Sequence, residues 1–203
     1  MTRTDWPIDF DGIVETVTTT HQPDGSWAVA ALGIQQRDGD IVARTWGETR
    51  TKRNLSRTGV GFVQLIPDAV IFTRAALERW SREEAIFPEA AAWIEIEATP
   101  IDSGSEAGTD WVDWSLQPTD HEVRRQSVPL PGRGLAAVIE MTVTASRLDV
   151  PAYADEPLRE RLQYFAEVAT RCGGPTERDA VDRIERIVEN DQPTPANGTG
   201  DHQ

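Results

Sequence analysis

A short window of the sequence, from Arg44 to Gly59, concentrates positive charge in an otherwise acidic chain. The whole chain has 34 acidic and 20 basic residues and a formal net charge of −14. The window has one acid, Glu48, against five cations, which gives it a net charge of +4. The cations are Arg44, Arg50, Lys52, Arg53 and Arg57. A local charge opposite in sign to the rest of the chain indicates a binding site for an anion.

The same window carries short hydrogen-bond donors between its cations. Thr49 and Thr51 alternate, so an extended segment would place both hydroxyls on one side, with Asn54 just beyond them at a turn. Phosphate groups are bound by Arg or Lys together with Ser, Thr, Asn and backbone N–H groups. The pattern predicts a phosphate site. An exposed edge strand that carries cations to prevent edge pairing would have the same composition.

Other kinds of chemistry find little support in the sequence. The three histidines, His21, His121 and His202, lie in polar segments, and none belongs to a metal-binding pattern such as H-E-x-x-H. A Walker A motif, a nucleophile elbow and a complete dinucleotide fingerprint are also missing from the sequence. We therefore predict no metal site and assign no catalytic residue.

The composition is typical of a protein adapted to a very salty cytoplasm. Acids are abundant and Lys52 is the only lysine, as expected of a halophilic source. The acidic balance argues against a nucleic-acid partner, because the average field repels phosphate. No apolar run reaches the roughly 20 residues that span a bilayer. The single cysteine, Cys172, also fits the cytoplasm, where we expect the protein to be located without a membrane partner.

The first half of the chain predicts strands. Three β-branched or alternating runs follow one another, separated by the turns Pro23-Asp24-Gly25 and Asp38-Gly39-Asp40. A fourth apolar run starts at Gly59, and a helical insertion is predicted at about 72–91. Alternating residues then predict a strand near Ile94 and Ile96, a flexible loop at 103–110 and a short strand after it.

The second half predicts one more strand and two helices. The run from Leu135 to Leu148 alternates apolar and polar residues and is predicted to be the best strand of the chain. The helices follow, with Asp155 and Thr176 as expected N-caps. The fold class is therefore mainly β with helical additions (α+β), a small β-barrel. The expected domains are a barrel at 1–150, a C-terminal helical hairpin packed on it at 151–190, and a disordered tail at 191–203.

Several of these segments resemble an archaeal family of unknown function, number 447, among the FMN-binding split β-barrels of the flavin-reductase type. The resemblance rests on four segments in a fixed order: the opening strand with Glu15, the run Ala30-Ala31-Leu32-Gly33, the segment from Thr51 to Leu55, and Glu140 with the residues 144–148. The sequence departs from the family pattern at Ala31, where proline is usual, and at Ser146, where threonine is usual.

The resemblance implies a homodimer that holds FMN in a groove between subunits. It places the FMN phosphate near Thr49, Arg50, Thr51 and Asn54, and the isoalloxazine ring along the strand that contains Ala30, Ala31, Leu32 and Gly33. Arg133 and Arg147 are further candidates for the phosphate or ribityl side. The implied activity is that of an NAD(P)H-dependent flavin oxidoreductase. Two alternatives stay open: a non-enzymatic protein that binds FMN or another phosphometabolite, and a structural β protein that assembles through its tryptophans.

Overall fold

The computed structural model describes residues 5–126 and 132–190, which form seven strands and five helices. The strands are β1 (Ile13–His21), β2 (Trp27–Arg37), β3 (Asp40–Trp46), β4 (Val60–Leu65), β5 (Trp80–Arg82), β6 (Ala92–Glu106) and β7 (Thr109–Val123). The helices are α1 (Arg50–Thr58), α2 (Ala69–Leu77), α3 (Arg133–Ala145), α4 (Asp155–Cys172) and α5 (Pro175–Asn190). None of the helices in these two ranges is long and apolar enough to cross a membrane.

Six of the strands close into an antiparallel barrel. The hydrogen-bonded order is β1-β4-β6-β7-β3-β2, and pairing between β1 and β2 closes the ring. The short strand β5 pairs with the start of β2 outside the ring. The turn between β2 and β3 is a two-residue turn in which Asp38 and Gly39 both have positive φ, as the sequence predicted. The predicted barrel with helical additions is confirmed.

The barrel interior forms one hydrophobic core. Leu32 and Ile34 of β2 point into it, together with Ile94 and Ile96 of β6 and the fully buried indole of Trp114. α1 covers one end of the barrel and contributes Leu55, which is 2% exposed. Burial of these side chains is the main stabilising contribution of the barrel, at roughly 25 cal/mol for each Å² of apolar surface removed from water.

The helices α2, α3, α4 and α5 build a second core beside the barrel. Ala69, Met141, Leu162, Ala169 and Ile184 are buried where the four helices meet. α2 also packs on the outer face of β1 and β2, where its Phe72 meets Val17 and Val29. α2 thus connects the helical layer to the wall of the barrel.

The run from Leu135 to Leu148 is a helix and its end, so the strand predicted there is wrong. Alternation misled the prediction, since Ala137, Val138, Met141 and Thr142 are all buried at helical spacing. The hydroxyls of Thr142 and Thr144 donate to the carbonyls of Val138 and Glu140, both at 2.7 Å. Packing against three other helices outweighs the modest cost of β-branched residues in a helix.

Two further elements differ from the prediction. The helix expected at 72–91 begins at Ala69 and ends at Leu77, and β5 follows it instead of a second half of the helix. The loop expected at 103–110 is the tip of a long hairpin, because β6 and β7 remain paired up to Glu106 and Thr109. Gly108, with φ 80°, makes this tight turn, and the polar residues beside it lie on solvent-facing strands.

The two C-terminal helices are confirmed, but their caps differ from the prediction. α4 is preceded by Ala154, and Asp155 lies in its first turn. At the start of α5, the side chain of Glu177 extends toward the N-terminus of the helix, where it accepts a hydrogen bond from Gly174 N at 2.7 Å. The domain boundary at 150 stays a prediction, and the expected tail at 191–203 lies outside the described residues.

Asp113 ties three strands together at the base of the long hairpin. Its side chain has no exposed surface, and it accepts hydrogen bonds from Arg44 Nε at 2.6 Å, Arg44 Nη2 at 2.9 Å and Arg37 Nη1 at 2.8 Å. Hydrogen bonding by Arg44 is the main reason that the pKa of Asp113 lies below its usual range, against the opposing effect of burial. The Arg44 guanidinium also lies 3.8 Å from the centroid of Trp111.

We predict that Asp113→Asn lowers the free energy of unfolding by about 3 kcal/mol at neutral pH, because two arginines lose their counter-charge. A carboxylate with a depressed folded-state pKa stabilises the fold above the unfolded-state value of about 3.9, and this stabilisation is lost as the pH falls. The difference from wild type should therefore shrink below about pH 4. Urea unfolding over a pH series measures this difference in the free energy of unfolding, and the exposed Asp110→Asn variant is the control. A variant as stable as wild type at neutral pH would contradict the prediction.

Gly134 marks the closest approach of α3 to the end of α4. A Cβ added at Gly134 would lie 2.5 Å from Gly173 Cα and 2.9 Å from Gly173 N. We predict that Gly134→Ala destabilises the protein by about 1–3 kcal/mol, since the two backbones must move apart. Thermal unfolding of this variant and of the exposed-site control Ala136→Ser tests the prediction. Equal melting temperatures for Gly134→Ala and the control would show that the contact is not tight.

Candidate functional site

Residues 50–58 of the cationic window fold into α1, so the extended conformation predicted around Thr51 is wrong, while Arg44 lies on β3. Thr49 is the N-cap, and its Oγ1 accepts from Lys52 N at 3.2 Å. Thr51 lies in the first turn and is buried, while Thr49 is exposed, so the two hydroxyls do not share one face. The first N–H groups of a helix lack intrahelical acceptors and carry a partial positive charge. The first turn of α1 contains no acidic residue.

Arg50 extends from the start of α1 to β5. Its Nη1 donates to Ser81 Oγ at 3.1 Å and its Nη2 to the carbonyl of Trp80 at 3.0 Å. Burial is the main reason that the pKa of Arg50 is lowered, and the charges of Arg79 and Arg53 lower it further. Like charges thus face one another at this end of α1, which is the arrangement expected where an anion is bound.

The other cations of the window have partners in the protein. Lys52 Nζ lies 2.5 Å from Glu48 Oε1, and this hydrogen bond is the main reason that the pKa of Glu48 is lowered. Arg44 is paired with Asp113. Arg57, at the opposite end of α1, donates to the carbonyl of His21. Arg53, whose Nη1 donates to the Glu48 carbonyl at 2.8 Å, lies near the start of α1 with Arg50 and Arg79, and these three side chains are called here the arginine cluster.

Asn54 faces the barrel rather than the solvent. It is 6% exposed, and its Nδ2 donates to Thr20 Oγ1 at 3.0 Å. This bond fixes α1 against β1. Asn54 therefore positions the helix whose N-terminus carries the arginine cluster.

The strand β2 has an open backbone edge at Ala30, Ala31, Leu32 and Gly33. On one side β2 pairs with β1 along the whole stretch from Trp27 to Gln35. On the other side 27–29 pair with β5 and 34–37 pair with β3. Within the described part of the chain, no strand pairs with 30–33 on that side, which leaves this segment of backbone available to a ligand.

Side chains along the open edge alternate between the two faces of β2. Leu32 lies in the barrel core. Ala31 packs on the outer face with Val17 and with Ile139 of α3. Gly33 lies on the same outer face, directly opposite Glu15 of β1. The outer face of this segment thus carries the small residues Ala31 and Gly33.

The two remaining candidate residues lie on or after α3. Arg133 is the first residue of α3 and is exposed. Arg147 lies just after α3, with its guanidinium 5.4 Å from the ring centroid of Tyr153. Arg147 is close enough to Glu15 to lower its pKa. Across residues 5–126 and 132–190, no hydrogen bond or ion pair links Arg133 or Arg147 to α1.

Sequence reasoning missed two parts of this region. Arg79 was predicted to lie within a helix at about 72–91, whereas α2 ends at Leu77 and Arg79 lies between α2 and β5. The open edge of β2 was missed because strand pairing is not visible in a single sequence. Among the described residues, no three or more His, Cys, Asp or Glu side chains are placed together to bind a metal ion.

Comparison with protein families gives two matches that together span most of the chain. The N-terminal domain of DUF447, a protein family of unknown function, matches residues 14–125. The corresponding C-terminal region of DUF447 matches residues 132–186. A search of curated proteins gave no match.

Among solved structures, the FMN-bound protein MM1853 from Methanosarcina mazei, which matches the DUF447 family model, shares the fold of this chain. The two are 22% identical, with a TM-score of 0.72 over 88% of this chain and 96% of that chain. The styrene monooxygenase flavin reductase from Pseudomonas putida S12 gives a TM-score of 0.39 at 11% identity, over 59% of this chain and 92% of that one. Flavoredoxin from Methanosarcina acetivorans gives 0.42 at 8% identity, over 62% and 79%.

Proposed function

The chain belongs to the DUF447 family, and we propose that it binds FMN and acts as a flavin-dependent oxidoreductase of the flavin-reductase type. The observation that carries the proposal is the position of the arginine cluster at the start of α1, next to the strand pair β2–β5 that borders the open edge. One molecule with an anionic end and a planar ring would use both features.

The phosphate of FMN fits the arginine cluster. A phosphate ester carries between one and two negative charges at neutral pH, and Arg binds phosphate through directed, charge-assisted hydrogen bonds. Arg50, Arg53 and Arg79 repel one another without an anion, so binding one relieves that repulsion. The N–H groups at the start of α1 add donors of the kind that commonly bind phosphate. Thr49 and Thr51 occupy the same turn.

The ring of FMN fits the open edge of β2. Alternate residues within 30–33 direct their backbone N–H and C=O groups away from β1, and these groups pair with no strand on that side in the described structure, whereas the carbonyl of Leu32 accepts from Thr16 Oγ1 of β1 at 2.7 Å. The pyrimidine part of a flavin has donors and acceptors along its rim, and a strand edge can bind both kinds of group. Val29 pairs with Trp80, whose carbonyl accepts from Arg50, so the edge and the arginine cluster are connected through β5. The five-carbon ribityl chain of FMN would extend between them.

The relation to MM1853 supports this assignment. That protein has FMN bound, and this chain matches it over 88% of its length with a TM-score of 0.72. Bound FMN would supply the hydride and electron chemistry. The residues of this chain would bind the phosphate at α1, orient the ring by the backbone of β2, and keep α1 in place through Asn54. NADH or NADPH would serve as the hydride donor.

A non-enzymatic FMN-binding protein is the second candidate. The observation in its favour is that, among the cross-strand partners of 30–33 on β1, Glu15 is the one ionisable residue. Hydride transfer between a nicotinamide and a flavin needs correct positioning above all. The two candidates therefore differ in turnover, not in the binding site.

We also propose that the protein is a homodimer whose partner helps to cover the ring. Ile13 supports this, since it is 68% exposed and lies next to Gly33, with its Cγ2 3.2 Å from the position of an added Cβ. Apolar side chains exposed beside a ligand site commonly mark an interface.

The visible absorption spectrum of the purified protein in high salt tests FMN binding. We expect the two absorption bands of bound oxidised flavin after mixing with FMN and removal of excess ligand. Anaerobic addition of NADH or NADPH should bleach these bands if the protein is a reductase and leave them intact if it only binds FMN. Light scattering on the same sample gives the mass. A colourless protein would contradict the proposed function, and a monomer would contradict the dimer.

We predict that Arg50→Gln and Arg79→Gln each weaken FMN binding by about tenfold or more, because each removes one charge and its hydrogen bonds from the phosphate. Arg57→Gln is the matched control: it removes the same charge from the far end of α1 and should change the affinity less than about threefold, as a screened charge does. Fluorescence titration with FMN measures the dissociation constants. Equal losses in all three variants would place the phosphate elsewhere.

A further inference from the structure

Glu15 lies over the backbone of β2 beside the open edge. It is the cross-strand partner of Gly33. A Cβ built on Gly33 would be 3.5 Å from Glu15 Oε1 and 3.7 Å from Oε2, so the carboxyl group lies above the position where any other residue would have a side chain. The absence of a side chain at Gly33 lets the carboxyl group approach the backbone of β2, beside Ile13 Cγ2, which would lie 3.2 Å from the same Cβ.

The surroundings of this carboxyl group favour its acid form. Burial is the main reason that the pKa of Glu15 is raised, and the charge of Glu140 raises it further. Arg147 acts in the opposite direction. Glu140 comes from α3 and Arg147 from the segment after α3, while β2 contributes only Gly33 opposite Glu15. These two are the charged groups that face it.

The carboxyl group is not used by the fold. Within residues 5–126 and 132–190, no side chain or backbone group forms a hydrogen bond with Glu15 Oε1 or Oε2. A half-buried carboxyl group without a protein partner is available to bind a ligand. Its position over Gly33 places this group on the outer face of β2, beside the segment where the open edge would hold the ring.

We propose that Glu15 donates a hydrogen bond, in its acid form, to an acceptor atom on the ring of bound FMN, so that binding of FMN takes up a proton at Glu15. This inference rests on the proposed function and adds a positioning group and a pH dependence to that site. Because only the acid form of Glu15 would bind FMN in this way, a protein molecule with an ionised Glu15 must take up a proton when it binds FMN. FMN affinity then falls as the pH rises above the pKa of free Glu15, by up to tenfold for each pH unit.

The test compares wild type with Glu15→Gln by fluorescence titration with FMN at constant high salt, from about pH 4.5 to 8. The amide of Gln is neutral and can donate at every pH. The quantity of interest is the ratio of the wild-type dissociation constant to that of the variant. Ionisation of the FMN phosphate contributes equally to both proteins and cancels in this ratio. We expect a ratio near one at low pH that rises as the pH increases.

Two more variants test whether the pH dependence belongs to Glu15. Glu140→Gln removes a charge that raises the pKa of Glu15, so the rise in the wild-type dissociation constant should begin at lower pH. Arg147→Gln removes a charge that lowers the pKa and should move the rise to higher pH. A residue with a purely structural role would show neither shift. Both variants also test the proposal if Glu15→Gln does not fold.

The outcomes separate this inference from the proposed function. If wild type binds FMN but the ratio of the wild-type to the Glu15→Gln dissociation constant does not change with pH, the proposed role of Glu15 is overturned and the proposed FMN site is unaffected. A ratio that falls as the pH rises would also overturn it, since the carboxylate would then accept a hydrogen bond from the ring. Absence of FMN binding by wild type at every pH would overturn both proposals.

Discussion

The backbone of β2 is paired continuously on one side and interrupted on the other, and the arrangement of the site depends on this interruption. β1 accompanies β2 along its whole length up to Gln35, which keeps the strand straight and its hydrogen bonds satisfied. On the opposite side β5 ends and β3 begins, with four residues between them. A free backbone edge inside an otherwise closed barrel is rigid, because the rest of the ring holds it, and so offers hydrogen bonds at fixed positions.

The net charge of a region of this protein depends on which side chains form ion pairs in the fold, and not only on the charges that lie close together in the sequence. Of the window's net charge of +4, the fold compensates one unit, because Arg44 pairs with Asp113, which lies outside the window; the pair of Lys52 with Glu48 is already counted in that sum. The arginine cluster lies where α1 begins, and it includes Arg79 from the segment between α2 and β5. In high salt, the electrostatic interactions of exposed charges are strongly screened. Arg50 is partly buried and donates hydrogen bonds to Ser81 and the Trp80 carbonyl, so its attraction for an anion is screened less than that of an exposed arginine.

The helical layer explains why the barrel wall is open on one face only. α2 and α3 cover the outer side of β1 and β2 near Val17 and Ala31, and α4 and α5 support them from behind. Gly33 and Glu15 lie at the border of this cover. The family match at 132–186 contains α3, so the outer wall beside the open edge is contributed by the part of the chain that follows the barrel.

The sequence alone determined the barrel strands, the turn at Asp38-Gly39, the two C-terminal helices and the presence of a cationic window, because these depend on local alternation, turn residues and composition. It did not determine that the window is a helix, that the run after Gly134 is a helix, or that Arg79 joins Arg50. These outcomes depend on contacts between distant residues, such as Asn54 with Thr20 and Gly134 with Gly173. The free energy of such contacts outweighs local propensities of a few tenths of a kcal/mol per residue, and only the tertiary structure contains them.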